Sequence, residues 1–203
     1  MMDPQHLLQS LGPWALLGIL GIVFAECGLL IGFFLPGDSL LFTAGLLVST
    51  GFIDTNIAVV CLLISLAAIA GNLTGYWIGR KAGPTIFSRP DSRFFRQEYV
   101  ERTRQFFAHY GTRAIILARF IPIVRTFITV MAGAAGMKFR SYAIYSTIGG
   151  ILWGTTVTLL GFYLGQRPFV QQHIELIILG MVALSLVPIY FELRRHRGAE
   201  SAA

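Results

Sequence analysis

Charged residues are scarce in this sequence: Asp, Glu, Lys and Arg make up only 13% of its 203 residues, against about 25% in an average soluble domain. Apolar residues account for 55%, and 22 glycines come in addition. This balance excludes a disordered chain, a coiled coil and an ordinary soluble enzyme, and it predicts an integral membrane protein. The length leaves room for roughly four to six membrane segments and for no separate soluble domain.

Residues that bind metals or act as nucleophiles are scarce too. The two cysteines, Cys27 and Cys61, lie in different apolar segments without the spacing of a zinc or redox motif, and we expect both to be small buried side chains. None of the four histidines stands at metal-ligand spacing with a carboxylate, so we expect no metal and no cofactor. Because no phosphate-binding loop, dinucleotide motif or paired nucleophile and base occurs, we expect no enzymatic activity.

The formal net charge of +6 would suit a nucleic-acid partner, but its distribution favours another explanation. Residues 80–113 hold eight basic and three acidic side chains, a net charge of +5, and Lys138, Arg140 and the C-terminal arginines complete the set. Lys and Arg collect on the cytoplasmic side of membrane proteins. We therefore expect no nucleic-acid partner, and we place residues 80–113 and the C-terminus on the cytoplasmic side of the membrane.

Apolar segments alternate with polar breaks along the chain. The segments are residues 11–35, 39–53, 57–79, 114–137, 141–165 and 174–193. Residues 91–110 have one aromatic face, which predicts an amphipathic helix on the cytoplasmic membrane surface or, alternatively, a soluble helix packed on the protein. Residues 167–173 are predicted to form a short polar turn. Residues 6–25 either cross the membrane or lie at its outer surface.

Two short strings recur 86 residues apart, which indicates an internal repeat. The tripeptide at 34–36 matches the one at 120–122, and the pentapeptide at 75–79 matches the one at 161–165. The repeated unit is an apolar segment broken by proline, followed by a full-length helix. The predicted organisation of the single membrane domain is a first repeat over about 10–80, a linker over 81–113, a second repeat over about 114–166 and a final helix over 174–193.

The proline-broken segments are too short to cross a bilayer twice. Basic residues flank both ends of 114–137, and Pro122 interrupts it, so this segment is predicted to be a re-entrant hairpin that dips in from the cytoplasm. Counting crossings backwards makes residues 26–53 a matching hairpin from the outside, broken at Pro36 and Gly37. Each repeat holds one crossing, so the repeats are inverted. The predicted fold is an all-α polytopic membrane protein, with an architecture typical of transporters.

Four charged side chains, Glu26, Asp38, Arg119 and Arg125, fall within or beside these broken segments. A charge at membrane depth costs several kcal/mol and is usually functional. Arg119 and Arg125 lie three residues on either side of Pro122, so their guanidinium groups are predicted to converge on a phosphate. Glu26 and Asp38 are predicted to relay protons or to gate the site. The alternative is that the four charges form two ion pairs that hold the hairpins together.

Helix packing is the expected role of several other residues. Asn72 is predicted to form an interhelical hydrogen bond. Close contact between helices is expected at the glycines of residues 141–165, namely Gly149, Gly150 and Gly154. Anchoring at the membrane interface, or packing, is expected of the three tryptophans Trp14, Trp77 and Trp153.

The residues of the two breaks form a recognisable pattern. Glu26 is followed by Pro36-Gly37-Asp38, and residues 119–126 read R-F-I-P-I-V-R-T with Ala132-Gly133 downstream. In this pattern the chain resembles, over about residues 10–195, the DedA family of VTT-domain (SNARE-associated) membrane proteins. The resemblance implies two facing re-entrant hairpins and lipid translocation. Bacterial members return undecaprenyl phosphate across the cytoplasmic membrane, eukaryotic relatives scramble phospholipids, and some members are tied to membrane-potential and pH homeostasis.

The resemblance also implies roles for the four membrane-depth charges. Glu26 and Asp38 match the family's essential acidic residues, and Arg119 and Arg125 match its essential arginines. We therefore expect a transporter for a phosphate-headgroup lipid, first of all undecaprenyl phosphate, with proton coupling as an open addition. The rival functions are a proton-coupled antiporter for a small ion or drug cation, a general phospholipid scramblase, and a protein that organises other membrane complexes.

Overall fold

The computed structural model of the chain describes residues 4–29, 37–87, 105, 110–120 and 122–172. Every regular element in these ranges is an α-helix, as the sequence predicts, and no strand occurs in them. We number the helices α1 (Pro4–Gly28), α2 (Gly37–Ser49), α3 (Ile57–Phe87), α4 (Ala114–Ala118), α5 (Pro122–Ala134), α6 (Phe139–Gly165) and α7 (Pro168–Gln172).

Two of the described helices, α3 and α6, contain candidate membrane spans. Within the described residues, Ile57–Ala82 of α3 and all of α6 are long and apolar enough to span a membrane. At about 1.5 Å per residue, the 13 residues of α2 and the 13 of α5 each reach about 20 Å, which is short of the roughly 30 Å of a bilayer's hydrocarbon core. Neither of these two helices can cross a membrane alone.

Several predicted boundaries differ from the structure: α2 begins and ends earlier than the predicted segment 39–53, and three further differences concern α3, α6 and α7. Helix α3 continues eight residues beyond the predicted end at Gly79, because the loss of apolar residues that suggested an end does not interrupt backbone hydrogen bonding. Helix α6 begins two residues before the predicted 141. The predicted polar turn at 167–173 contains the short helix α7, with proline at its first position, where the missing N–H costs nothing.

Two predicted elements lie outside the described residues. They are the amphipathic helix at 91–110, apart from Gln105 and Tyr110, and the final helix at 174–193. Helix α1 is one continuous helix of 25 residues with Pro13 inside it, so the alternatives for residues 6–25 remain as stated. The predicted division into repeats also remains a prediction.

The chain divides into two compact units. The first unit comprises residues 1–19, 34–60 and 157–203, and the second comprises residues 20–33 and 61–156. Each unit combines pieces of both predicted repeats. The first holds α2 and the C-terminal end of α6, and the second holds most of α3 together with α4 and α5.

In the first unit, α2 and α6 approach backbone to backbone through two glycines. A Cβ atom on Gly45 would collide with the carbonyl oxygen of Thr158, and a Cβ atom on Gly161 would collide with the carbonyl oxygen of Phe42. The two contact positions are three residues apart on each helix. We call this reciprocal arrangement a glycine crossing.

The second unit contains a glycine crossing of its own, between α5 and α3. Here a Cβ atom on Gly133 would collide with the carbonyl oxygen of Tyr76, and one on Gly79 with the carbonyl oxygen of Val130. The spacing of three residues on each helix is the same as in the first unit. Each unit therefore seats its 13-residue helix on a long helix in the same way.

Candidate functional site

The apolar segment at 114–137 is broken where the sequence predicts. Helix α4 ends at Ala118 with Arg119 as its C-cap, and α5 begins at Pro122. Proline disfavours helical geometry in the residue before it but suits the first position of a new helix, which explains a break at this point. The break leaves Arg119 at the end of one helix and Arg125 in the first turns of the next.

Another close contact between helices positions Glu26 within the second unit. A Cβ atom on Gly28 of α1 would lie 2.7 Å from the carbonyl oxygen of Gly71, and one on Gly71 of α3 would lie 2.5 Å from the carbonyl oxygen of Phe24. Because neither glycine has a side chain, the end of α1 lies directly against α3. This contact fixes the backbone that carries Glu26.

Glu26 and Arg125 form a buried ion pair. Arg125 donates a hydrogen bond from Nη2 to Oε1 of Glu26, and the two side chains are 2% and 3% exposed, respectively. The Cζ atom of Arg125 also lies 4.2 Å from the ring centre of Trp153, which is cation–π geometry. Trp153 is buried, so its role is packing and not anchoring at the membrane interface.

Arg119 is also 2% exposed but is not in an ion pair among the described residues. Its Nη2 atom donates a hydrogen bond of 2.8 Å to the Ser146 hydroxyl. Its Nε and Nη1 atoms have no hydrogen-bond partner among the described residues. Guanidinium N–H groups in this state are available to donate hydrogen bonds to an anion such as phosphate, which can bind in bidentate fashion.

Gly149 makes room for the Arg119 side chain. A Cβ atom at Gly149 would lie 3.0 Å from Cδ and 3.1 Å from Nε of Arg119, whereas one at Gly150 would lie 3.5 Å from Nη1. The predicted role of both glycines was close contact between helices. The nearest atoms at Gly149 belong to this arginine side chain, and the Cα atom of Ile116 in α4 follows at 3.3 Å, so the predicted close contact between helices also occurs here.

A set of buried polar side chains surrounds the arginines. Thr129 donates a hydrogen bond to the backbone carbonyl of Arg125 at 3.1 Å and is 3.5 Å from Oδ1 of Asn72. This second contact joins α5 to α3, which agrees with the interhelical role predicted for Asn72. Tyr142 donates to the carbonyl oxygen of Asn72 at 3.3 Å, and its hydroxyl adjoins Ser146.

Sequence reasoning missed Ser146, Thr129, Tyr142 and Trp153 as neighbours of the arginines. A hydroxyl or an aromatic ring within an apolar helix is common, so none of these residues stood out in the sequence. One usable signal was helical spacing, since Tyr142, Ser146, Gly149 and Trp153 recur at three- and four-residue intervals on one face of α6.

The other predicted site residues, Pro36, Gly37 and Asp38, belong to the sequence range of the first unit. Asp38 is in the first turn of α2 and is half-buried, at the helix end where a negative charge is favourable. Gly37 begins α2 and is buried. Pro36 lies outside the described residues. The structure thus brings Glu26, Arg119 and Arg125 into the second unit, and Asp38 is described with the first.

Comparison with known proteins identifies the family. The model of the VTT domain matches residues 35–163. The chain is 42% identical to Protein DedA of Escherichia coli K12 over 198 residues, which cover 98% of this chain and 90% of that protein. The chain belongs to the DedA family.

Other DedA-family relatives are named as membrane proteins. An uncharacterised membrane protein of Mycobacterium tuberculosis is 45% identical over 93% of this chain and 84% of its own length. The inner membrane protein YghB of Escherichia coli K12 is 33% identical over 82% of this chain and 74% of its own length. No solved structure matches the chain. With two helices among its described residues able to span a bilayer, this DedA-family chain is a membrane protein.

Proposed function

We propose that this chain is a cytoplasmic-membrane transporter without enzymatic activity that moves a lipid with a phosphate headgroup between leaflets. Arg119 and Arg125 would be the phosphate ligands. The charge balance around them carries the proposal: two buried guanidinium groups accompany one buried carboxylate, Glu26, and no other carboxylate occurs in the described residues of the second unit. Because a buried charge needs a counter-charge, an anionic ligand would complete the cluster.

Arg119 suits the role of the first phosphate ligand. Its bond to Ser146 fixes one end of the guanidinium, and Nε and Nη1 keep donors without partners in the described structure. Pre-ordering of a guanidinium lowers the entropy cost of binding. A substrate cation, in contrast, would be repelled by this arrangement, which argues against the antiporter alternative.

Arg125 would couple phosphate binding to protonation of Glu26. If phosphate draws Arg125 away from Glu26, the carboxylate remains buried without this cation, and a buried carboxylate in that state is more stable when protonated. Asp38 would gate the site or relay the proton. Its role rests on the family resemblance.

The short helices α2 and α5 would form re-entrant hairpins on opposite sides of the membrane, with residues 80–113 in the cytoplasm. Their length of about 20 Å and the helix break before Pro122 support this topology. Only the headgroup would need a polar path, while the lipid tail stays in the bilayer. Undecaprenyl phosphate is the candidate lipid that the family resemblance favours.

Leaflet exchange in liposomes tests the proposal. The purified protein would be reconstituted with labelled undecaprenyl phosphate or with labelled phospholipid, with and without a pH gradient. Arg119→Gln should slow exchange of the phosphate lipid at least tenfold, because a hydrogen bond to a charged group is worth about 1.5–3 kcal/mol. Arg113→Gln removes the same charge from an exposed residue of the same segment and should change exchange by less than about twofold.

A pair of glycine variants adds a control that leaves every charge in place. Gly149→Ala should slow exchange because its methyl group would displace Arg119, whereas Gly150→Ala adds an ordinary contact and should leave exchange near the wild-type rate. Equal exchange in all variants would contradict the proposal. Equal rates for both lipids would favour the scramblase, and proton flux that responds to added cations would favour the antiporter.

A further inference from the structure

Cationic side chains collect where the apolar part of α3 ends beside the start of α6, and the transport proposal does not use them. Arg80 stands near the end of the apolar part of α3, and Phe139 is the first residue of α6. The rings of Trp77 and Phe139 are 5.5 Å apart between centroids, so the two candidate spans meet here. Aromatic residues at such span ends lie at the membrane–water boundary.

Arg80 is held in place before any ligand binds. Its Nη1 atom donates a 3.0 Å hydrogen bond to the hydroxyl of Tyr76, and that hydroxyl donates to the carbonyl oxygen of Met137. Its Cζ atom lies 5.8 Å from the ring centre of Trp77. An exposed arginine normally samples many rotamers, so this restraint favours binding of an anion.

The surroundings of Arg80 are cationic. Lys81, Lys138 and Arg140 are exposed near the same helix ends. In the described residues of the second unit Glu26 is the single carboxylate, and it is buried against Arg125. No described acidic side chain of this unit therefore competes for Arg80.

We propose that Arg80, Trp77 and Phe139 bind the phosphate diester of an anionic membrane lipid at the bilayer boundary. The guanidinium would hold the headgroup, and the two rings, which are 45% and 36% exposed, would contact the upper part of the acyl chains. A soluble phosphate would gain nothing from the rings. The combination of a fixed cation and exposed aromatic surface therefore selects a lipid.

This lipid site is separate from the buried arginines. Arg80 contacts Tyr76, whose ring stacks on that of Tyr142 with centroids 4.7 Å apart, and both rings are completely buried. Tyr142 in turn adjoins Ser146, the partner of Arg119. Packed aromatic side chains thus lie between the two cations, and the proposed site does not depend on the transport function.

Native mass spectrometry of the full chain, released from micelles with equal amounts of phosphatidylglycerol and phosphatidylcholine, tests the site. The wild type should retain phosphatidylglycerol preferentially. One positive charge near a membrane surface changes association with anionic lipid by about fivefold, and Lys81→Gln, which removes the neighbouring charge, measures that general effect. Arg80→Gln should reduce retention by at least a further fivefold, because it removes the fixed ligand as well as the charge.

Two more variants separate the lipid site from its neighbours. Tyr76→Phe keeps every charge but releases Arg80 and should reduce retention about threefold, in line with the loss of one hydrogen bond. In an Arg119→Gln background, which lacks the proposed transport ligand, Arg80→Gln should lower retention by the same factor as in the wild type. Equal losses in Arg80→Gln and Lys81→Gln, equal retention of the two lipids, or full displacement by soluble glycerol phosphate would each overturn the proposal.

Discussion

The two units of the chain pack their helices alike but bury different chemistry. Each seats a 13-residue helix on a long helix through a glycine crossing with the same spacing. Eight polar or charged side chains are buried among the described residues, and seven of them belong to the second unit. Thr158 is the single example in the first.

Charge is distributed just as unequally. The described residues of the first unit carry Asp38, Asp54 and Arg167, whereas those of the second carry seven basic residues and Glu26. A glycine crossing needs only small residues and exposed carbonyl groups, so it can occur in both units whatever polar or charged side chains each unit buries. Buried charges each need specific partners, and in the described structure these partners occur in one unit.

The largest expected effect comes from removing a charge that only the second unit buries. Arg125→Gln should lower the free energy of unfolding by about 3–5 kcal/mol, because Glu26 loses the cation that accompanies it in the interior. Thermal unfolding in detergent measures this. The double variant Glu26→Gln with Arg125→Gln should recover at least half of the lost free energy of unfolding. If Arg125→Gln alone costs no more free energy of unfolding than Arg113→Gln, the ion pair is not structurally important.

A smaller loss of stability is expected from changing the glycine crossing, which both units contain. Gly45→Ala and Gly133→Ala each place a methyl group against a backbone carbonyl, and we expect each to destabilise the protein by about 1–3 kcal/mol. Gly18→Ala and Gly21→Ala, where nothing lies within 4 Å of the added atom, should instead stabilise α1 by up to about 1 kcal/mol. If Gly45→Ala and Gly133→Ala differ in sign, the two crossings are not equivalent.

The smallest expected change in stability, that of replacing a buried threonine by valine, should differ in sign between the units. Thr129 in the second unit donates a hydrogen bond to the Arg125 carbonyl, so Thr129→Val should cost about 1 kcal/mol. The buried Thr158 hydroxyl in the first unit has no hydrogen-bond partner among the described residues. Thr158→Val should therefore be neutral or stabilising by up to about 1 kcal/mol. Chemical denaturation of both variants provides the comparison, and a matching loss at both positions would remove the distinction.

Much of the fold follows from the sequence for physical reasons. Continuous apolar residues predicted α3 and α6, and Pro122 predicted the break between α4 and α5 because its ring disfavours helical geometry in the residue before it. The end of α3 was predicted too early because hydropathy indicates whether a segment lies in lipid or in water. It does not show where the backbone hydrogen bonds of the helix end. The DedA-family pattern found in the sequence is confirmed by the comparisons.

The candidate site was only partly predictable. Charge within an apolar segment is rare enough to single out Glu26, Arg119 and Arg125, and the structure places them in one unit. Which acid pairs with which arginine depends on the contact between Gly28 and Gly71, and tertiary contacts of this kind leave no periodic signal. Ser146 and Trp153 are ordinary residues of a membrane helix until their neighbours are known.

The space at Gly149 has a consequence for genetics. Arg119 can lie across α6 because this residue contributes a single hydrogen atom. A mutational screen restricted to charged and polar positions would pass over it. In a complete scan, however, we expect Gly149 to tolerate as few substitutions as Arg119, the arginine that it accommodates. In other members of the family, a glycine that tolerates no substitution would then mark a place where a charged side chain lies across a helix.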